Sequence, residues 1–192
     1  MSAPVLEQVN IRTEDMPSDM RILLEDYPRE SWTAHPGFQE KTRGWLNAHT
    51  GFRRLSRIVK TDTQHFIDRK LSGEQFGVRL SHYGGILVGN LHGHHSWEDH
   101  SYFPELLAAD PRFAAGLELL ESDHVTLNAA LDAFTSAANQ VLGLLRPNEV
   151  KARDHVGVVL DHAGTIEKLL DRHLSDEEEL AVPIILHYRL RG

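Results

Sequence analysis

The chain contains no cysteine. This excludes disulfides, thiolate nucleophiles, Cys-ligated zinc and iron–sulfur clusters, so any metal would have to be held by histidine and carboxylate side chains. Long apolar runs are missing too. No stretch approaches the roughly 20 consecutive apolar residues of a membrane helix. Met1 to Glu7 lacks a basic region followed by an apolar one, so the cytoplasm is the expected location. Positive charge is in short supply: 20 Lys+Arg stand against 28 Asp+Glu, a formal net charge of −8. The basic residues are not clustered, so neither nucleic acid nor an anionic membrane is an expected partner. Phosphate loops, nucleophile elbows and dinucleotide fingerprints are absent. Gly84-Gly85-x-x-x-Gly89 has the wrong spacing and follows no strand, which argues against hydrolase, kinase and dinucleotide-dependent classes.

What remains is a chain of 192 residues with 41% apolar and 25% charged side chains, within the range of one globular domain. Its unusual feature is 13 histidines. Residues 1–34, with Pro4, Pro17 and Pro28, show no sustained period. They read as an N-terminal extension with one short helix around Met20 to Asp26 and no chemistry of its own. From residue 35 to 192 the chain divides into four long segments at Leu71-Ser72-Gly73, Ala109-Asp110-Pro111 and Arg146-Pro147-Asn148. In the third segment Leu117, Leu120, His124, Leu127, Leu131, Phe134, Ala138, Val141 and Leu145 recur at intervals of three and four, the seam of a helical bundle. Trp45, His49, Phe52, Leu55 and Val59 form a similar stripe in the first segment. Ile166, Leu169 or Leu170, His173, Glu177 and Leu180 do so in the fourth. The second, with Phe76, Leu80, Tyr83, Leu87, Leu91, His94 and Glu98, is helical in period but rich in glycine. Four helices joined by short turns imply an all-α, up-down-up-down antiparallel four-helix bundle.

Antiparallel neighbours place two residues at one height when they are equally distant from the connecting turn. The midpoint of His49 and His94 falls in the Leu71 to Gly73 turn, that of Glu98 and His124 on Pro111, and that of His124 and His173 just past Pro147. His49, His94 with Glu98, His124, and His173 with Glu177 are therefore expected in one layer. Residues four apart stack on one helix face, so each His/Glu pair can aim two ligands at one point. Both pairs are followed by a proline six residues after the acid, Pro104 and Pro183, as in an internal duplication. A pseudo-twofold site suits two metal ions. Carboxylates and imidazoles in an apolar layer would otherwise carry a desolvation penalty of several kcal/mol per charge. Iron, zinc and manganese all accept this ligand set. His95 and Glu121 adjoin the ligand face, and His162 lies about three turns from His173 on nearly the same face. His92 diverges from His94 by about 200 degrees and cannot join it. The other histidines are expected at the surface or boundary, Trp45, Phe52, Trp97 and Phe103 in the core, and the acidic run Asp176 to Glu179 in solvent except at Glu177.

These residues, in this order, resemble the hemerythrin-like (HHE cation-binding) family: a histidine on helix one, His94-His95-Ser96-Trp97-Glu98 with Phe103-Pro104 on helix two, a histidine on helix three, and His173-x-x-x-Glu177 on helix four. The resemblance covers roughly residues 36 to 190. It implies a non-haem centre of two iron ions, oxo- or hydroxo-bridged, with Glu98 and Glu177 bridging and His49, His94, His124 and His173 as terminal ligands. It also implies oxygen, nitric oxide or peroxide as small-molecule partner. The functions implied are a carrier or sensor, a catalase-like or oxidase-like enzyme, or an iron-handling, storage or regulatory module. Two departures from the oxygen-carrier pattern stand out. Helix three has one histidine where the carriers have two, so His95, Glu121 or water must fill the remaining position. The carriers also space the helix-four pair one residue wider, so Glu178 competes with Glu177 as the bridge. Tyr102 and His95 are candidate proton donors to a bound anion.

Overall fold

A computed structural model describes residue 12 and residues 14–190. The described residues contain no strand, and their order is α1 (Glu40–Ile67), α2 (Gly73–Arg79), α3 (Gly85–Trp97), α4 (Phe103–Ala109), α5 (Ala114–Leu145) and α6 (Glu149–Tyr188). The three breakers are turns with local chemistry to match. Ser72 and Gln75 form a reciprocal capping box that starts α2. Asp110 accepts a hydrogen bond from the Arg112 amide, and the Asn148 side chain accepts one from the Lys151 amide to open α6.

The glycine-rich second segment is helical throughout. Helices α2, α3 and α4 are joined without a break by π-helical turns at Leu80–Gly84 and Glu98–Tyr102. The second has a visible cause. Pro104 offers no amide hydrogen and crowds the carbonyl four residues earlier, and the widened turn in front of it accommodates that loss. This places Glu98 at the start of a π turn.

Contacts define the packing. As numbers rise along α1 they fall along α6: His49 faces Glu178, Lys60 faces Glu167 and Arg153 reaches the Phe66 carbonyl. The same inverse pairing joins α1 to the second segment, with His49 on His94 and Phe66 stacked on Phe76. It also joins α5 to α6, with Asp123 beside Arg172. Two apolar clusters result. One is built around Phe52, Leu91, Leu127, Phe134 and Leu170; the other contains Trp45, Tyr102, Phe103, Leu117, Leu180 and Ile185. Between them the stripes of α1, α3, α5 and α6 present polar side chains.

Residues before α1 depart from expectation. Residues 1–11 and 13 lie outside the described residues. The helix expected at Met20 to Asp26 is instead a 3-10 turn at Ser18–Met20 followed by non-helical turns over 22–26, with a second 3-10 helix at Arg29–Ala34. Met16, Leu23 and Trp32 are buried in the second apolar cluster, so this segment contributes to the core. No helix is long and apolar enough to cross a membrane among the described residues.

Phe134 is buried, and its ring meets Gly84 at the first π turn, where an added Cβ would lie 3.5 Å from it. Phe134→Ala is expected to lower stability by about 3–5 kcal/mol, read from urea unfolding, with metal content per folded chain unchanged.

Candidate metal centre

The polar layer lies between the two clusters and reaches solvent only at the edge of His94. His49, His95, Glu98, His124, His173 and Glu177 are each 0% exposed, and the His94 side chain is 10% exposed. Ligand-capable atoms fall into two groups, each within 4.8 Å: His49, His94, Glu98 and Glu177 in one, and His95, His124 and His173 in the other. In the first, His94 Nε2 lies 2.9 Å from Glu98 Oε1 and 3.0 Å from His49 Nε2. Glu177 Oε2 is 3.5 Å from His49 Nε2.

The two acids link the groups. Glu98 Oε2 points at His124 Nε2, 3.7 Å away, while its Oε1 serves the His49 and His94 side. Glu177 Oε2 lies 3.7 Å from His173 Nε2 as well as near His49. The six residues expected to share a layer are thus brought together, and His95 joins them. Its ring stacks on His124 with centroids 4.1 Å apart. Its ligand-capable nitrogen falls in the group with His124 and His173. Glu121 is exposed and takes no part.

Carboxylates or an amide on the far side of the rings fix most of the imidazoles. His124 Nδ1 is 2.6 Å from Asp99, His49 Nδ1 3.1 Å from Glu178, His173 Nδ1 3.5 Å from Asp123 and His95 Nδ1 3.5 Å from Asn128. For His124, His49 and His95 the acceptor at Nδ1 sets the tautomer so that the Nε2 lone pair faces inward, the outer arrangement common to histidine metal ligands, whereas His173 Nδ1 has the Asp123 charge beside it but no hydrogen bond. Glu178 thus faces the outer nitrogen of His49 and lies outside both ligand groups. Arg29 and Arg53 pair with it from outside, at 2.6 and 2.8 Å. The acidic run is not solvated either: Asp176, Glu177 and Glu178 are all buried, the outer two against arginines.

Whether these residues suit a metal can be judged from what they lack. Among buried atoms without a hydrogen-bond partner are Glu98 Oε2, both oxygens of Glu177 and the Nε2 atoms of His95, His124 and His173. Six orphaned ligand atoms facing one another in a dry layer are costly without a cation and ordinary with one. The electrostatics agree. Burial and the neighbouring Glu98 carboxylate push Glu177 well above the usual carboxylate range. Burial would raise Glu98 too, but hydrogen bonds and charge from His49 and His94 outweigh it and hold it well below. Burial brings His173 down to about 4 against the pull of Asp123, and it lowers His95 with help from His124 and His173. These two rings are thus neutral at pH 7, as metal ligation requires.

A family description of the hemerythrin HHE cation-binding domain matches residues 40–185. The chain belongs to this family. Neither a curated protein nor a solved structure matched it. As an HHE domain it carries His and Glu groups positioned for metal binding. Two further residues differ from expectation. Trp97 is 44% exposed and stacks on Tyr102 rather than packing in the core. Trp45 is buried but also polar in role, donating its indole N–H to Glu98 Oε1 at 2.7 Å. Its position on the apolar stripe gave no sign of that bond.

With no cation, the raised Glu177 carboxyl makes a stability contribution that is complete below about pH 4.5 and is lost as pH rises through its folded value. Metal-free Glu177→Gln is therefore expected to gain stability relative to metal-free wild type as pH rises from 5 to 8, followed by urea midpoints. The same variant should bind metal more weakly. A variant that loses stability to the same extent at every pH would contradict this account.

Proposed function

We propose that the chain is an up-down-up-down antiparallel four-helix bundle over residues 35–192 that holds two iron ions and reacts reversibly or catalytically with oxygen, nitric oxide or peroxide. The inverse contact pairs between α1 and α6, α5 and α6, and α1 and the second segment support the topology. The observation that carries the metal reading is the set of unpartnered, fully buried ligand atoms divided into two groups and joined by two carboxylates. In this reading His49 and His94 serve one ion, His95, His124 and His173 the other, and Glu98 and Glu177 both.

Bound iron would supply electrons and an open coordination position to a small oxidant. The protein's part is to hold, shield and protonate. The apolar clusters on either side exclude bulk water, which strengthens every charge interaction in the layer. The Tyr102 hydroxyl is buried with no partner, and burial together with Glu177 and Glu98 pushes its pKa well above the usual value, so it keeps its proton at neutral pH. It is the candidate donor to a bound anion, since His95 belongs with the ligands. A cytoplasmic setting and small-molecule partners complete the reading, and the net charge of −8 disfavours polyanions.

Metal analysis of protein purified from cells, with optical spectra of the reduced form before and after oxygen and peroxide, tests this. Two irons per chain and an oxidant-dependent spectral change are expected. Zinc alone, or less than one iron per chain, would overturn the redox reading. His94→Ala and His173→Ala should each lower metal content, and full content in both would overturn the ligand assignment. Among loaded proteins, reversible change marks a carrier or sensor, turnover marks an enzyme, and metal release without either marks an iron-handling module.

A further inference from the structure

The family match starts at residue 40, yet the residues before it reach the metal layer from outside. Arg12 Nη2 lies 2.6 Å from Asp123 Oδ2 and 2.7 Å from Asp176 Oδ2, bridging α5 and α6. Arg29 Nη1 lies 2.6 Å from Glu178 Oε2, and its guanidinium sits over the buried Trp32 ring, 4.7 Å from the centroid. The amide of Met16, itself buried, donates to Asp176 Oδ1 at 3.1 Å. The acids so held are not arbitrary. Asp123 faces Nδ1 of His173, and Glu178 faces Nδ1 of His49, one imidazole in each ligand group.

We propose that the segment before the family domain is a clasp on the metal centre, in which Arg12 and Arg29 are positioning residues that fix two carboxylates, Asp123 in charge contact with His173 Nδ1 and Glu178 hydrogen-bonded to His49 Nδ1. The inference rests on the metal reading above and adds a role for residues outside the matched domain. Its physical basis is geometric. Asp123 retains Arg172 and Glu178 retains Arg53 if the clasp is lost, so neither acid becomes unpaired. Each does lose the contact that fixes its second oxygen, and an acid free to rotate no longer holds one ring orientation.

The clasp supplies its own control. Arg21 pairs with Glu179, an acid of the same run for which no histidine contact is found. Arg21→Ala removes an ion pair of the same segment that contacts neither Asp123 nor Glu178, and it leaves Glu179 its 3.6 Å contact with Arg29. The test uses the full chain loaded with Co(II), following transfer of the metal to an excess of chelator by stopped flow and recording the visible ligand-field bands. Arg12→Ala and Arg29→Ala are expected to release Co(II) about ten-fold faster and to shift the bands, in line with the 10–100-fold effects of outer-shell partners. Arg29→Lys should restore most of the wild-type rate, and Arg21→Ala should match wild type in both readouts. Equal acceleration in all three alanine variants would mean that the segment merely packs, and no acceleration in Arg12→Ala or Arg29→Ala would mean that it holds nothing; either overturns the clasp. If Arg12→Ala does not fold, the Arg29 pair of variants decides. Full Co(II) content in His49→Ala and His173→Ala would instead overturn the metal reading, through variants separate from those that test the clasp.

Discussion

A dry layer of acids and imidazoles has to be neutralised, by protons or by a cation, and the rest of the molecule is arranged around that constraint. Glu98 and Glu177 are fully buried, and among the described residues no arginine or lysine enters the layer with them. Elsewhere in the chain buried acids are compensated directly: Asp123, Asp176 and Glu178 each face a guanidinium at 2.6 to 3.0 Å. Two strategies thus coexist along one acidic run. Outside the ring of histidines charge is balanced by arginine, and inside it the balance is left to a ligand.

The backbone accommodates this in the second segment. A regular α-helix turns about 100 degrees per residue, which would give adjacent residues diverging directions. His94 and His95 straddle the boundary between the two ligand groups, and their divergence lets a single helix serve both. The π turn that begins at Glu98 then relieves the strain imposed by Pro104 and keeps the segment continuous into α4. The proline that looked like a marker of duplication is also a mechanical cause at the site. Its counterpart Pro183 lies within α6 without a π turn, so the two halves are not structural copies at this point.

Shielding and access are separated in space. Apolar side chains close the layer above and below, while Trp97, half exposed, covers Tyr102 on one side. On the α5 and α6 side, cover comes from the residues before α1, through ion pairs as well as packing.

The apolar stripes, the breakers and the shared height of His49, His94, Glu98, His124, His173 and Glu177 were legible from residue order alone, because helix period and turn position are local properties and antiparallel pairing is simple arithmetic on them. Other features were not. Whether His95, Glu121 or water completes the site depends on the rotation of α3 and α5 about their own axes, which interhelical packing sets. The choice between Glu177 and Glu178 was open because residues 100 degrees apart on α6 are both near the inner face, and only the positions of Arg29 and Arg53 assign Glu178 to the outside. The burial of Asp176 and Glu178, and the contribution of residues 12–34, escaped sequence reading for the same reason. A run of acids or a proline-punctuated segment carries no period that reveals its partner, and ion pairs between residues more than 100 positions apart exist only once the chain has folded.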